Sequence, residues 1–92
     1  MPIRELYRMK SKRSKITYNI TNQQKKIGAR IRALRIKAGY SSFEDFAYEH
    51  DMASSQLGRY ERGASDMRLS TLMRILEALN VTFAEFFSEG FD

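Results

Sequence analysis

The side chains that could do chemistry are few in kind. The chain has one histidine, His50, and no cysteine, so thiolate nucleophiles, disulfides and thiolate metal sites are excluded. It has no glycine-rich loop spaced to cradle phosphates and no carboxylate–histidine set at metal-ligand spacing. Adjacent acids such as Glu44 and Asp45 fit the positive end of a helix that they would begin better than acid–base work. These residues argue against an enzyme and imply no catalytic residue, metal or cofactor. His50, alone on an apolar face, reads as a packing residue. What is left is basic chemistry: 16 Lys and Arg stand against 11 Asp and Glu, a net charge of +5. Such a surface suits a polyanion, from which each seated lysine or arginine releases counterions.

The charge is unevenly placed. Residues 1 to 21 carry six bases against Glu5 alone, residues 22 to 62 eight bases against five acids, and residues 63 to 92 two bases against five acids. A basic front and an acidic back imply one face for the polyanion and another turned away from it. Residues 1 to 21 form an arm outside the core, with a cluster at Arg8, Lys10, Lys12, Arg13 and Lys15. Within it Ile16, Tyr18 and Ile20 alternate with polar residues, which predicts a half-buried strand needing a partner such as the same strand of a second subunit. No apolar run approaches the roughly 18 residues of a membrane span, and the arm lacks the apolar centre of a signal peptide. A cytoplasmic protein without a membrane partner is expected.

The elements that must position these charges are helices. Thr21 with Gln24 predicts a capping box, and Ile27, Ile31, Leu34 and Ala38 recur at helical spacing as far as Gly39, giving a first helix over 22–38. Ser42 with Asp45 starts a second, whose face is Phe43, Phe46, Ala47 and His50. The third covers 53–62 and closes at Gly63. A fourth carries Leu69, Leu72, Met73, Leu76 and Leu79 and stops at Asn80. Thr82 with Glu85 begins a fifth, with Phe83, Phe86 and Phe87 as its apolar content. Five short helices on tight connections predict a compact all-α domain over 22–92, because only mutual packing covers so many apolar faces.

The third helix divides into two faces at about 100° per residue. Ala53, Leu57 and Tyr60 are expected to face the core. Ser55, Gly58, Arg59 and Arg62 point the other way, with Ser54 at the exposed tip. Ala47 is small where two crossing helices would meet, and Asp51 sits where the chain must turn, a residue type that tolerates left-handed backbone.

On these features the stretch "IGARIRALRIKAG", then "SSFEDFAYEHDMASSQLGRYERG", then "LSTLMRILEALNVTFAEFF" resembles the phage-repressor-like helix-turn-helix proteins, the lambda repressor and Cro type also called the xenobiotic-response-element family. The likeness runs from residue 26 to 88 without a gap. It implies a five-helix lambda-repressor-like DNA-binding domain with the third helix as recognition helix in the major groove. By position it implies base contacts from Ser54, Ser55 and Arg59, of which only Arg59 has a bidentate code, for guanine O6 and N7. Gln56, Arg62, Lys25, Lys26 and Arg30, with Arg13 and Lys15 of the arm, become candidate contacts to the DNA backbone. It also implies an ion pair between Arg35 and Glu61 that fixes the recognition helix against the first. The chain departs from the pattern at Asp51, where a glycine is usual, at His50, where an aliphatic residue is usual, and at Phe43, which replaces a polar residue. Gly58, lacking a side chain, is expected to let the helix approach the groove wall.

The function expected is a sequence-specific transcriptional regulator of double-stranded DNA, a homodimer on a two-fold-related operator because one short helix offers few base contacts. Its dimer surface would be Phe86, Phe87 and Phe91 of helix five and the tail, or the Ile16/Tyr18/Ile20 strand. The alternatives are an antitoxin-type regulator with a toxin as protein partner, and an interaction module that has lost DNA binding.

Overall fold

A computed structural model of the chain describes residues 15–91. Five helices follow one another: α1 (Ile20–Lys37), α2 (Phe43–Glu49), α3 (Ser54–Glu61), α4 (Leu69–Leu79) and α5 (Phe83–Phe86). No strand occurs among the described residues.

The first helix starts earlier than the Thr21/Gln24 pair predicts. Asn19 is its cap, with its side chain accepting the Asn22 N–H at 3.0 Å. Two capping residues compete two positions apart, and Asn is the stronger cap. Ile20 is thereby drawn into the helix, while Ile16 and Tyr18 lie exposed in no regular element. The alternation that predicts a strand is cut at Ile20, which the Asn19 cap places inside the helix. The two other start signals behave as their residue types dictate. The Ser42 hydroxyl accepts the Glu44 and Asp45 N–H groups, and Thr82 and Glu85 bond each other's backbone in a complete capping box.

The first four helices all end the same way. An N–H two or three residues past the helix reaches back five positions, from Tyr40 to Arg35, Met52 to Ala47, Ala64 to Arg59 and Val81 to Leu76, at 2.8 to 3.1 Å. The residue before each of these donors is left-handed: Gly39, Asp51 (φ 56°), Gly63 and Asn80 (φ 57°). This ending satisfies carbonyls that the helix itself leaves open and turns the chain sharply, which is how so short a sequence accommodates five helices. Asp51 takes the conformation that the turn demands, and its carbonyl accepts a bond from Arg74 of α4.

The core is Ile31 from α1, Phe46 and Ala47 from α2, Leu57 from α3, Leu72, Ile75, Leu76 and Leu79 from α4, and Phe86 from α5. The buried stripe of α4 has the spacing i, i+3, i+4, i+7 from Leu72. Leu69 and Met73, expected inside, are therefore outside at 64% and 43% exposure, and Ile75 takes the inner place. Ala53, also expected inside, is the exposed N-cap of α3. His50 packs as read: its ring lies 4.6 Å from that of Phe46, and its Nε2 is 3.5 Å from the Tyr40 hydroxyl.

Candidate nucleic-acid interface

The short helix α3 is held from two sides, by α1 and by α2. At its C-terminal end Glu61 accepts from Arg35 twice, Nε to Oε2 at 2.8 Å and Nη2 to Oε1 at 3.0 Å. The remaining Arg35 nitrogen, Nη1, donates to the Tyr40 carbonyl at 2.7 Å. Both side chains are nearly enclosed, at 4% and 5% exposure. One guanidinium thus ties the end of α1, the α1–α2 turn and the end of α3 in a fixed geometry, as a planar fork does and an ammonium could not.

Two glycines let the backbones meet at that junction. A Cβ on Gly28 would lie 2.3 Å from the Tyr60 carbonyl oxygen and 2.5 Å from that of Glu61, so α1 rests directly on the last carbonyls of α3. One on Gly63, at φ 70°, would lie 2.7 Å from the Lys25 Cα. Reading the residues alone assigns Gly63 a role only as a helix end and assigns Gly28 none. The available signal was a glycine inside an otherwise regular helical pattern, a place where close backbone approach is a common cause.

The face of α3 turned away from the core carries Ser55, Arg59 and Arg62, all exposed, with Ser54 exposed at the tip. Ser55 and Arg59 are four apart and so lie one above the other. Ala53 supplies no side-chain cap, so the first amides of the helix are open, and a helix N-terminus favours a negative partner. Lys25 lies exposed against Gly63 and joins this end of the surface. These residues form one basic and hydroxyl-bearing strip.

Other candidates stand elsewhere. Gln56 is half-buried on the flank and lines a groove with Met52, Thr71 and Arg74 between α3 and α4. Lys26 is half-buried and lines a groove with Arg30, Glu89 and Gly90. Arg30 is not a free cation. Its Nε and Nη2 donate to the Phe86 and Glu85 carbonyls at 2.8 Å each, and Nη1 lies 3.6 Å from Glu89. The open carbonyls at the end of α5 are satisfied by this fork, which takes Arg30 out of the set expected to meet phosphates. Lys15 is exposed ahead of α1, and Arg13 with the rest of the arm's basic cluster lies outside the described residues.

Gly58 also lies elsewhere than its place on the helix predicts. It is buried rather than groove-facing, because the first residue of α2, Phe43, lays its ring over it: Cε2 and Cζ would be 2.9 Å from a Cβ at that position. A wheel drawn for α3 alone cannot register a ring that arrives from another helix.

Two short helices joined by a left-handed turn, the second carrying an exposed basic strip and anchored from behind, define a helix-turn-helix DNA-binding protein. The chain belongs to the helix-turn-helix family of the Cro/C1 type, whose family model matches residues 31–86, and it is a DNA-binding transcriptional regulator. It is similar to the restriction-modification controller protein C.AhdI from Aeromonas hydrophila, with 30% identity and a TM-score of 0.65 over 72% of this chain and 98% of that one. Its fold is also that of a point mutant of the restriction-modification controller protein C.Esp1396I, with 22% identity and a TM-score of 0.64 over 79% of this chain and 87% of the other. No curated protein sequence matches the chain. No helix among the described residues is long and apolar enough to cross a membrane.

Proposed function

We propose that the protein is a sequence-specific regulator that binds a two-fold-related operator as a homodimer and inserts α3 into the major groove. The observation that carries this is the exposed Ser55–Arg59–Arg62 face of a helix whose far side is locked by the Arg35–Glu61 pair. Ser54, Ser55 and Arg59 meet base edges. Arg59 supplies most of the discrimination, since a serine hydroxyl both donates and accepts and so separates bases poorly. Arg62 and Lys25 hold the phosphate backbone, with Gln56 and Lys26 at the margins and the arm's cations, Arg13 and Lys15 among them, adding counterion release. The likeness to C.AhdI, a controller protein, supports a controller-type regulatory role.

The second subunit docks on α5. Phe83 and Phe87 are 42% and 43% exposed with parallel rings 6.4 Å apart, and Met73 is exposed nearby, across a shallow groove that Phe83 also lines. Phe86 does not take part, because it is wholly buried in the core. Selection of bound duplexes from a random pool tests the reading. A palindromic motif with a guanine that depends on Arg59 is expected, whereas the absence of any enriched motif would overturn sequence-specific binding.

A further inference from the structure

The geometry points to Phe43 and Gly58 as positioning residues that together seat Arg62 for the DNA backbone. This rests on the DNA-binding reading above. Gly58 stands in the middle of the recognition helix, on the same face as Ser55, Arg59 and Arg62 by spacing, yet it is buried. Two groups cover it. Cε2 and Cζ of Phe43 lie 2.9 Å from the point that a Cβ there would occupy, and Nη1 of Arg62 lies 3.2 Å from the same point. Ring edge and guanidinium therefore sit side by side on the bare backbone of one residue.

Arg62 is the C-cap of α3, and its side chain runs back by one turn to reach Gly58, as side chains at i+4 do. An exposed arginine at a helix end ordinarily samples many rotamers and loses that freedom on binding. Here a wall on one side, Phe43, and a missing Cβ beneath leave a seat for the guanidinium. The seat is pre-formed at the edge of the strip that carries Ser55 and Arg59. The ring of Phe43 and the bare backbone of Gly58 fit each other, since a Cβ at residue 58 would lie 2.9 Å from the ring edge.

The groups that an added Cβ would meet are the far ends of two side chains, not backbone. Gly58→Ala should therefore move the ring and the guanidinium while leaving the path of α3 intact. Binding of the full chain to a duplex is measured against salt concentration for the unaltered protein, Arg62→Ala, Gly58→Ala, Phe43→Leu and the Gly58→Ala/Arg62→Ala double variant, with a thermal melt of each. Each single variant is expected to reduce the slope of log affinity against log salt by about one, the signature of one lost phosphate contact, and the double variant to fall no further than Arg62→Ala. Should Gly58→Ala fail to fold, Phe43→Leu keeps the test open, since it retains apolar packing without the ring edge. A purely structural role would lower the melting temperature and leave the slope alone. The inference is overturned by an unaltered slope in a folded Gly58→Ala or Phe43→Leu beside a reduced one in Arg62→Ala, by an unaltered slope in Arg62→Ala, or by a further drop in the double variant. No duplex binding by the unaltered chain would instead overturn the functional reading.

Discussion

Arg35 and Glu61 meet through two hydrogen bonds of 2.8 and 3.0 Å across 26 residues of sequence, with both side chains nearly enclosed. Taking either partner away strands a buried charge, and that loss exceeds the net worth of the pair itself. Glu61→Ala is therefore expected to destabilise the fold by about 3 to 5 kcal/mol. That is a large share of what so small a domain has. Urea denaturation checks it, and a midpoint equal to that of the unaltered protein would rule out the anchoring role. DNA affinity should fall in the same variant, because α3 loses the fork that fixes its far end.

Gly28 makes the neighbouring contact and fails for a different reason. Its Cβ position lies 2.3 Å from a carbonyl oxygen of α3, and backbone cannot swing aside as a side-chain end can. Gly28→Ala raises helix propensity in α1 by roughly 1 kcal/mol, yet forcing α1 and α3 apart costs about 1 to 3 kcal/mol and also strains the Arg35–Glu61 geometry. Net destabilisation is expected, measured by thermal melting. A gain in melting temperature would show that the helices separate freely.

What the sequence made legible was whatever a single helix encodes about itself. Ser42, the Thr82/Glu85 box, Asp51 as a turn and Asn80 as a stop are local chemistry and read correctly. The Arg35–Glu61 pair is not local, and it came through the family resemblance. Ala53 and the start of α1 differ for local reasons, a cap position in each case, whereas the other differences come from contacts with a second element. Phe43 covers Gly58, and the carbonyls of α5 capture Arg30. Leu69 and Met73 shared the α4 pattern, but the face that packs is centred on Ile75. Periodicity says that a helix has an apolar side; which residues at its margin are covered depends on the neighbour.

The capping box gives stability a dependence on pH. Glu85 accepts the Thr82 N–H at 2.9 Å, and the Thr82 hydroxyl accepts the Glu85 N–H at 3.1 Å. The bond from the Thr82 backbone, and after it the Thr82 side chain, holds the Glu85 carboxyl below its ordinary value of 4.5. A carboxyl lowered on folding contributes stability that is complete above its unfolded value and lost as pH falls through the folded one. Glu85→Gln cannot titrate there. Its deficit in stability relative to the unaltered protein should be greatest near neutrality and shrink as pH falls below 4.5. Denaturation midpoints of the two proteins across that range test it, and a gap constant with pH would sink the explanation.

In the proposed binding mode readout by Arg59 of α3 is separate from grip by Lys25 of α1. Arg59 is exposed, lies one turn beyond Ser55 and has the fork that matches guanine, so Arg59→Ala should cost about 1 to 3 kcal/mol on a selected site. The loss should vanish on the same site with that guanine replaced, because the missing fork then has nothing to hold. Lys25→Ala should behave in the opposite manner, weakening all duplexes alike and lowering the salt slope by about one. Affinities of the two variants for the selected site and for each single-base replacement distinguish these roles. An unchanged base preference in Arg59→Ala would move sequence discrimination to the Ser54/Ser55 edge or to DNA shape, both able to act without a bidentate contact.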